Sequence, residues 1–159
     1  MNKNREWIVS ALALALVLVT TLYLKIPTQW GYFNLGDAMI FLFASILPPG
    51  LSFLMAGVGS ALADLLGNYG QYAPFTLVVK GCEGYLVAWG IMHLKKETLA
   101  YILGIIILVV GYTAVDWLLY GSLITALGGV AYNVVQGVCG LIVSLLLVTR
   151  IRKIYEKIK

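Results

Sequence analysis

The chain has 159 residues, 61% of them hydrophobic and 11% charged, with a mean hydropathy of +0.93, against ~45–50% apolar and ~25% charged for a soluble domain. That composition excludes a soluble globular enzyme. At roughly 20 apolar residues per membrane-spanning helix, it supplies about six spans with short connections and no room for a soluble catalytic domain. The formal charge of +4 does not mark a nucleic-acid binder, because the basic residues sit at the ends and in one short connection, where membrane topology places them.

Taken in order, M-N-K-N-R-E-W precedes an apolar run over 8–24. The run is long for a secretory signal and no persuasive cleavage site follows, so it reads as a retained first helix. Residues 25–30, K-I-P-T-Q-W, form a polar connection. A short second segment over about 34–47 stops at Pro48-Pro49-Gly50, a strong turn signal. The third segment, 51–66, breaks at G-N-Y-G. The fourth opens at Pro74, a residue suited to a first helical turn, and reaches about 93. The fifth covers 98–120 and the sixth 123–148, after which a basic tail leaves the bilayer. The expectation is one all-α domain over 1–159 with six transmembrane helices. Nine basic residues, Lys3, Arg5, Lys95, Lys96, Arg150, Arg152, Lys153, Lys157 and Lys159, fall on the side of the termini, against Lys25 alone on the other. The excess makes the termini cytoplasmic.

Orientation then gives depth. Asp37 and Asp64 lie near the outer ends of segments two and three; Lys80 and Glu83 lie roughly 9 and 13 Å into segment four, by a rise of ~1.5 Å per residue. Tyr112, Asp116 and Tyr120 form one stripe in the outer half of segment five, and Asn133 and Gln136 share a face at middle depth in segment six. Lys80 and Glu83 are spaced to pair. Ionisable groups inside a membrane are costly and usually functional. These faces either line one outward cavity or hold the bundle together by interhelical hydrogen bonds. Trp30 and Tyr72 sit on loops rich in Pro, Gly, Asn and Gln, as a lid over a flat ligand would, while Trp30, Tyr32, Phe33, Tyr69 and Tyr72 also suit membrane-interface anchors. Asp37 reads as a helix cap or a brace for the gate.

Ala11 and Ala15 form a small-xxx-small face on the first helix, and Gly57, Gly59, Ala61 and Ala63 do the same on the third, suited either to packing within the chain or to a partner. Cys82 and Cys139 lie in apolar segments without metal-like spacing. His93 is the single histidine, no nucleophile and base pair is evident, and no G-x-x-x-x-G-K-[ST] occurs. No catalytic or metal site is expected, and no cofactor in this chain.

The runs F-N-L-G-D-A at 33–38, A-G-V-G-S-A-L-A-D-L-L-G at 56–67 followed by Tyr72-Ala73-Pro74, and K-G-C-E-G at 80–84 resemble the substrate-binding S components of energy-coupling factor (ECF) transporters. The resemblance covers most of the chain. It implies a six-helix bundle in the bacterial cytoplasmic membrane that captures a vitamin or its precursor from outside. That bundle docks on a transmembrane T subunit bearing two ATPases, which alone use ATP. Ala11 and Ala15 inherit the contact with the T subunit, and the region 27–33 the role of gate. Substrate contacts are expected from Trp30, Asp64, Tyr72, Lys80, Glu83, Tyr112, Asp116, Asn133 and Gln136.

An excess of carboxylates over one lysine suits a small neutral or weakly basic ring with hydroxyls and disfavours phosphate or folate, since amides read ring donors and acceptors and aromatic faces stack on the ring. Within the family the sequence is most similar to the subset linked to hydroxymethylpyrimidine or pyridoxine uptake, with riboflavin, thiamine and pantothenate open. Two other readings stand beside it: a self-sufficient permease coupled to protons through Asp64, Glu83 or Asp116, and an assembly protein whose polar residues are only glue.

Overall fold

The computed structural model describes residues 3–28, 31–94 and 96–158. They form α1 (Lys3–Tyr23), a hairpin of β1 (Lys25–Thr28) and β2 (Gly31–Asn34), α2 (Gly36–Ala44), α3 (Pro49–Leu66), α4 (Ala73–Leu94), α5 (Glu97–Tyr120) and α6 (Leu123–Ile158). All the helices except α2, five in number, are long and apolar enough to cross a membrane. Val110, Leu118, Leu146 and Ile124 are 62%, 68%, 72% and 85% exposed, and an apolar surface of this kind suits lipid rather than water. The chain is a multi-pass membrane protein.

Three expectations are corrected. Segment two is not a full-length transmembrane helix: α2 has nine residues, a rise of ~14 Å against a ~30 Å hydrocarbon core, and the chain completes its passage from the hairpin to the opposite end through the turn at 45–48, where Arg152 meets the Ser45 carbonyl. Helix α2 is instead an internal element, with Ile40 and Phe41 wholly buried, and it ends because Pro48 is extended and Pro49 opens α3. The chain is not wholly α-helical either, because the polar connection after α1 enters a β-hairpin. Lys25 pairs with Asn34 and Pro27 with Tyr32 in an antiparallel ribbon, whose four-residue strands are too short to show alternation and whose open edges accommodate a proline. Finally, the basic tail is helical, so that α6 runs 36 residues, ~54 Å, and outreaches a ~40–45 Å membrane.

Small residues set the closest packing. A Cβ on Gly57 would lie 2.5 Å from the Leu77 carbonyl oxygen, and one on Gly84 would lie 2.6 Å from that of Ser52, so α3 and α4 touch backbone to backbone. Gly59 brings α1 equally near, since its Cβ would stand 2.9 Å from the Leu14 carbonyl oxygen. On α1 itself, Ala13 and Val17 are buried whereas Ala11 and Ala15 point out of the bundle. The core centres on α2, where the Phe41 ring stacks on that of Tyr101 with centroids 5.1 Å apart. At the end of the bundle away from the hairpin, Arg152 pairs with Glu97 and donates to the Ser45 carbonyl at 3.4 Å, joining α6, α5 and the end of α2.

Candidate functional site

At the hairpin end the helices part around a cavity with about 430 Å³ of atom-free space, its mouth included, lined by Tyr32, Asp64, Tyr69, Tyr72, Thr76, Tyr112, Asp116, Asn133 and Gln136. Local geometry explains how the α3–α4 connection delivers two of the tyrosines. Asn68 takes a left-handed φ of 67°, a conformation asparagine tolerates better than most residues. The Tyr69 amide then bonds back to the Asp64 carbonyl at 2.9 Å, and the Tyr72 amide to the Tyr69 carbonyl at 2.8 Å. That tight turn puts Tyr69 and Tyr72 at the rim.

The hairpin closes one side. Tyr32 on β2 donates its phenol proton to Asp64 on α3, and its ring meets that of Tyr69 at 4.6 Å, tilted by 55°. The Lys25 ammonium stands 5.5 and 5.3 Å from these two ring centroids and donates to the Gly67 carbonyl at 3.3 Å. On the other side Tyr72 donates to Asp116 Oδ1 at 2.9 Å and meets the Tyr120 hydroxyl at the same distance. Thr76 and Tyr112 share a hydrogen bond of 3.0 Å at the back. Burial, reinforced by Asp64, pushes the Tyr32 phenol well above its usual range, and burial with the Tyr120 and Asp116 bonds does the same to Tyr72. Both therefore act as neutral donors.

The remaining polar capacity is specific. Asp64 Oδ2 is buried without a partner, and among the described residues no hydrogen bond reaches Asn133 or the second oxygen of Asp116. Gly129 leaves the space between these groups, since a Cβ there would lie 3.1 Å from Asp116 Oδ2 and 3.9 Å from Asn133 Nδ2. The cavity thus offers two carboxylate oxygens, one free amide and tyrosine faces.

Of the residues expected to bind substrate, Asp64, Tyr72, Tyr112, Asp116, Asn133 and Gln136 come together on its walls, and Trp30 lies outside the described residues. Lys80 and Glu83 do not line the cavity. The Lys80 ammonium lies under its floor, 5.7 Å from the Tyr112 ring centroid, bonded to Asp37 and 3.0 Å from Glu83 Oε2, with all three residues at most 3% exposed. The expected Lys80–Glu83 pairing is present, but the ammonium sits between two buried carboxylates and does not line the cavity. Asp37 is not a side-chain cap of α2; its carboxylate takes Lys80 and Gln136 instead. Tyr32, Tyr69 and Thr76 were not among the expected substrate contacts. Thr76 could have been found, since it stands four residues before Lys80 on the same helical face.

Such a site, an aromatic and carboxylate-bearing cavity inside a multi-pass bundle, defines a membrane-embedded small-molecule binder. Residues 1–153 match the family of the ECF-type riboflavin transporter, S component. Similar proteins include the "uncharacterized protein in gap 3′ region" of Pyrococcus woesei, 42% identical over 80% of this chain and 88% of its own. A second is the "thiamine precursor transporter HmpT" of Lactococcus lactis subsp. cremoris (strain MG1363), 29% identical over 83% of this chain and 77% of its own. The solved S component of a bacterial ECF transporter shares the fold at 19% identity, with a TM-score of 0.74 over 97% of this chain and 99% of that one. The chain belongs to the ECF S-component family, as the resemblance implied. It is the substrate-binding subunit of a vitamin transporter and not an enzyme.

Proposed function

We propose that this S component binds a small, donor-bearing heteroaromatic vitamin precursor, hydroxymethylpyrimidine or pyridoxine, from outside the cell. It then delivers the ligand by docking on a T subunit driven by two ATPases in the cytoplasmic membrane, with its termini in the cytoplasm. The observation that carries this reading is the polarity of the cavity. Among the described residues, the cavity groups with no hydrogen-bond partner are Asp64 Oδ2, the second oxygen of Asp116 and the Asn133 amide, and the buried cation Lys80 is held by Asp37 and Glu83. A ring with an amino group or ring N–H satisfies those acceptors while a tyrosine face stacks on it. An anionic ligand would leave carboxylates facing like charge. The Lactococcus relative, a thiamine precursor transporter by its description, supports the same ligand class. Ala11 and Ala15, exposed on α1, are the proposed contact with the T subunit, and ATP is used by the partners alone.

A second reading, riboflavin, is favoured by the description of the matching family. Calorimetric titration of the purified protein with hydroxymethylpyrimidine, pyridoxine, riboflavin, thiamine and pantothenate separates them. One-to-one binding of either of the first two supports the proposal, and tight binding of riboflavin alone rejects it.

A further inference from the structure

Gln136 lines the cavity yet has little left to offer a ligand. Its Oε1 accepts both the backbone amide of Asn34, at 3.0 Å, and the Asn34 side-chain amide, at 2.9 Å, while its Nε2 donates to Asp37 Oδ2 at 2.8 Å. Only one N–H remains, on a residue 4% exposed. We infer that Gln136 is a positioning residue, a latch that fastens strand β2 to α6 and Asp37 and so sets how long the hairpin stays closed over the cavity.

The argument is one of attachment points. Strand β2 crosses between two helices: Tyr32 ties it to Asp64 on α3, and Asn34 ties it to Gln136 on α6. Asn34 also fixes the junction with α2, its Oδ1 accepting the Gly36 amide at 2.7 Å. Below the latch, α2 and α6 form one packed unit. A Cβ on Gly140 would lie 2.9 Å from Asp37 Cβ, and Ser144 donates to the Ala38 carbonyl at 2.9 Å. Gln136 is therefore where the hairpin joins that unit. The chain of bonds is also polar. Asn34 donates to Gln136, Gln136 donates to Asp37, and Asp37, which only accepts, takes Lys80 with its other oxygen. A carboxylate at 136 has nothing to donate to Asp37. An amide at 37 facing a carboxylate at 136 restores every hydrogen bond with that one reversed, and moves the negative charge from 37 to 136 at unchanged net charge, Lys80 keeping its ion pair with Glu83.

The inference rests on the cavity being the binding site, so the first readout uses no ligand. Spin labels at Ile26→Cys and Ile124→Cys, both exposed, in a background with Cys82→Ala and Cys139→Ala, report the distance from the hairpin to the start of α6 by pulsed paramagnetic resonance. Wild-type side chains at 37 and 136 give one narrow distance. Gln136→Glu and Asp37→Asn each broaden and lengthen it, and the double substitution D37N/Q136E narrows it again. In stopped-flow binding of hydroxymethylpyrimidine, the single variants raise the off-rate about tenfold, the loss of one buried hydrogen bond, with the on-rate within about twofold, and the double variant recovers most of that change. A purely structural role would lower the melting temperature without this kinetic split or this rescue. Should Gln136→Glu not fold, Gln136→Met, which keeps the volume and loses the bonds, must open the hairpin. The latch is overturned by single variants that keep the narrow distance, or by a folded double variant no more closed than they are. If neither hydroxymethylpyrimidine nor pyridoxine binds, the ligand reading fails and the distances still decide the latch.

Discussion

Asp64 and Asp116 are arranged alike, each with one oxygen held by a tyrosine. The second oxygens and the free Asn133 amide are the groups placed to read a ligand. Asp116→Asn and Asn133→Ala are expected to weaken binding by about 1–3 kcal/mol, the cost of an unmade buried polar contact, with melting temperatures near wild type. Lys80 behaves oppositely. Removing it as Lys80→Met leaves Asp37 and Glu83 buried without their cation, a loss of about 3–5 kcal/mol for a broken buried pair, read as a large drop in the melting temperature. Lowered affinity at an unchanged melting temperature would return Lys80 to the ligand. The tyrosines give a pH test. The Tyr32 phenol is raised above its ordinary range by burial and by Asp64, so its contribution to stability is intact below the ordinary phenol pKa of ~10 and falls away as pH rises through the higher folded value. The stability difference between wild type and Tyr32→Phe is thus constant from neutral pH to about 9 and shrinks above about 10.

Among the elements, the long helices were legible because 3.6-residue geometry and a run of apolar residues leave little choice in a membrane. Both ends of α3 were marked by Pro48-Pro49-Gly50 and by G-N-Y-G. The hairpin was not legible, nor was the full shortness of α2, which the sequence already showed as a short segment. Both depend on contacts made far along the chain, Asn34 with Gln136 and α2 with α6, and no local periodicity encodes them. The same holds for the site. Spacing along single helices found Asp116, Asn133 and Gln136, but it assigned Lys80 to the cavity because the competing carboxylate, Asp37, comes from another helix. Close helix approach makes its own prediction. Gly57→Val places a side chain against the Leu77 carbonyl and forces α3 from α4, an overpacking cost of about 1–3 kcal/mol or more, visible as a lower melting temperature with cavity residues untouched.

For the whole molecule, the proposal divides the labour between the cavity at the hairpin end, for capture, and the exposed alanine pair on α1, for docking. Ala11→Trp or Ala15→Trp is expected to abolish vitamin uptake by cells expressing the complete transporter while leaving ligand binding by the isolated subunit unchanged. Loss of both together would remove the partner-face assignment. The central claim is that the cavity selects a small ring carrying hydrogen-bond donors. Isothermal titration of the purified chain with hydroxymethylpyrimidine tests it most directly, with the Asp116→Asn variant as control. The account predicts saturable one-to-one binding that weakens in the variant; no heat from hydroxymethylpyrimidine or pyridoxine alongside saturable binding of riboflavin would contradict it.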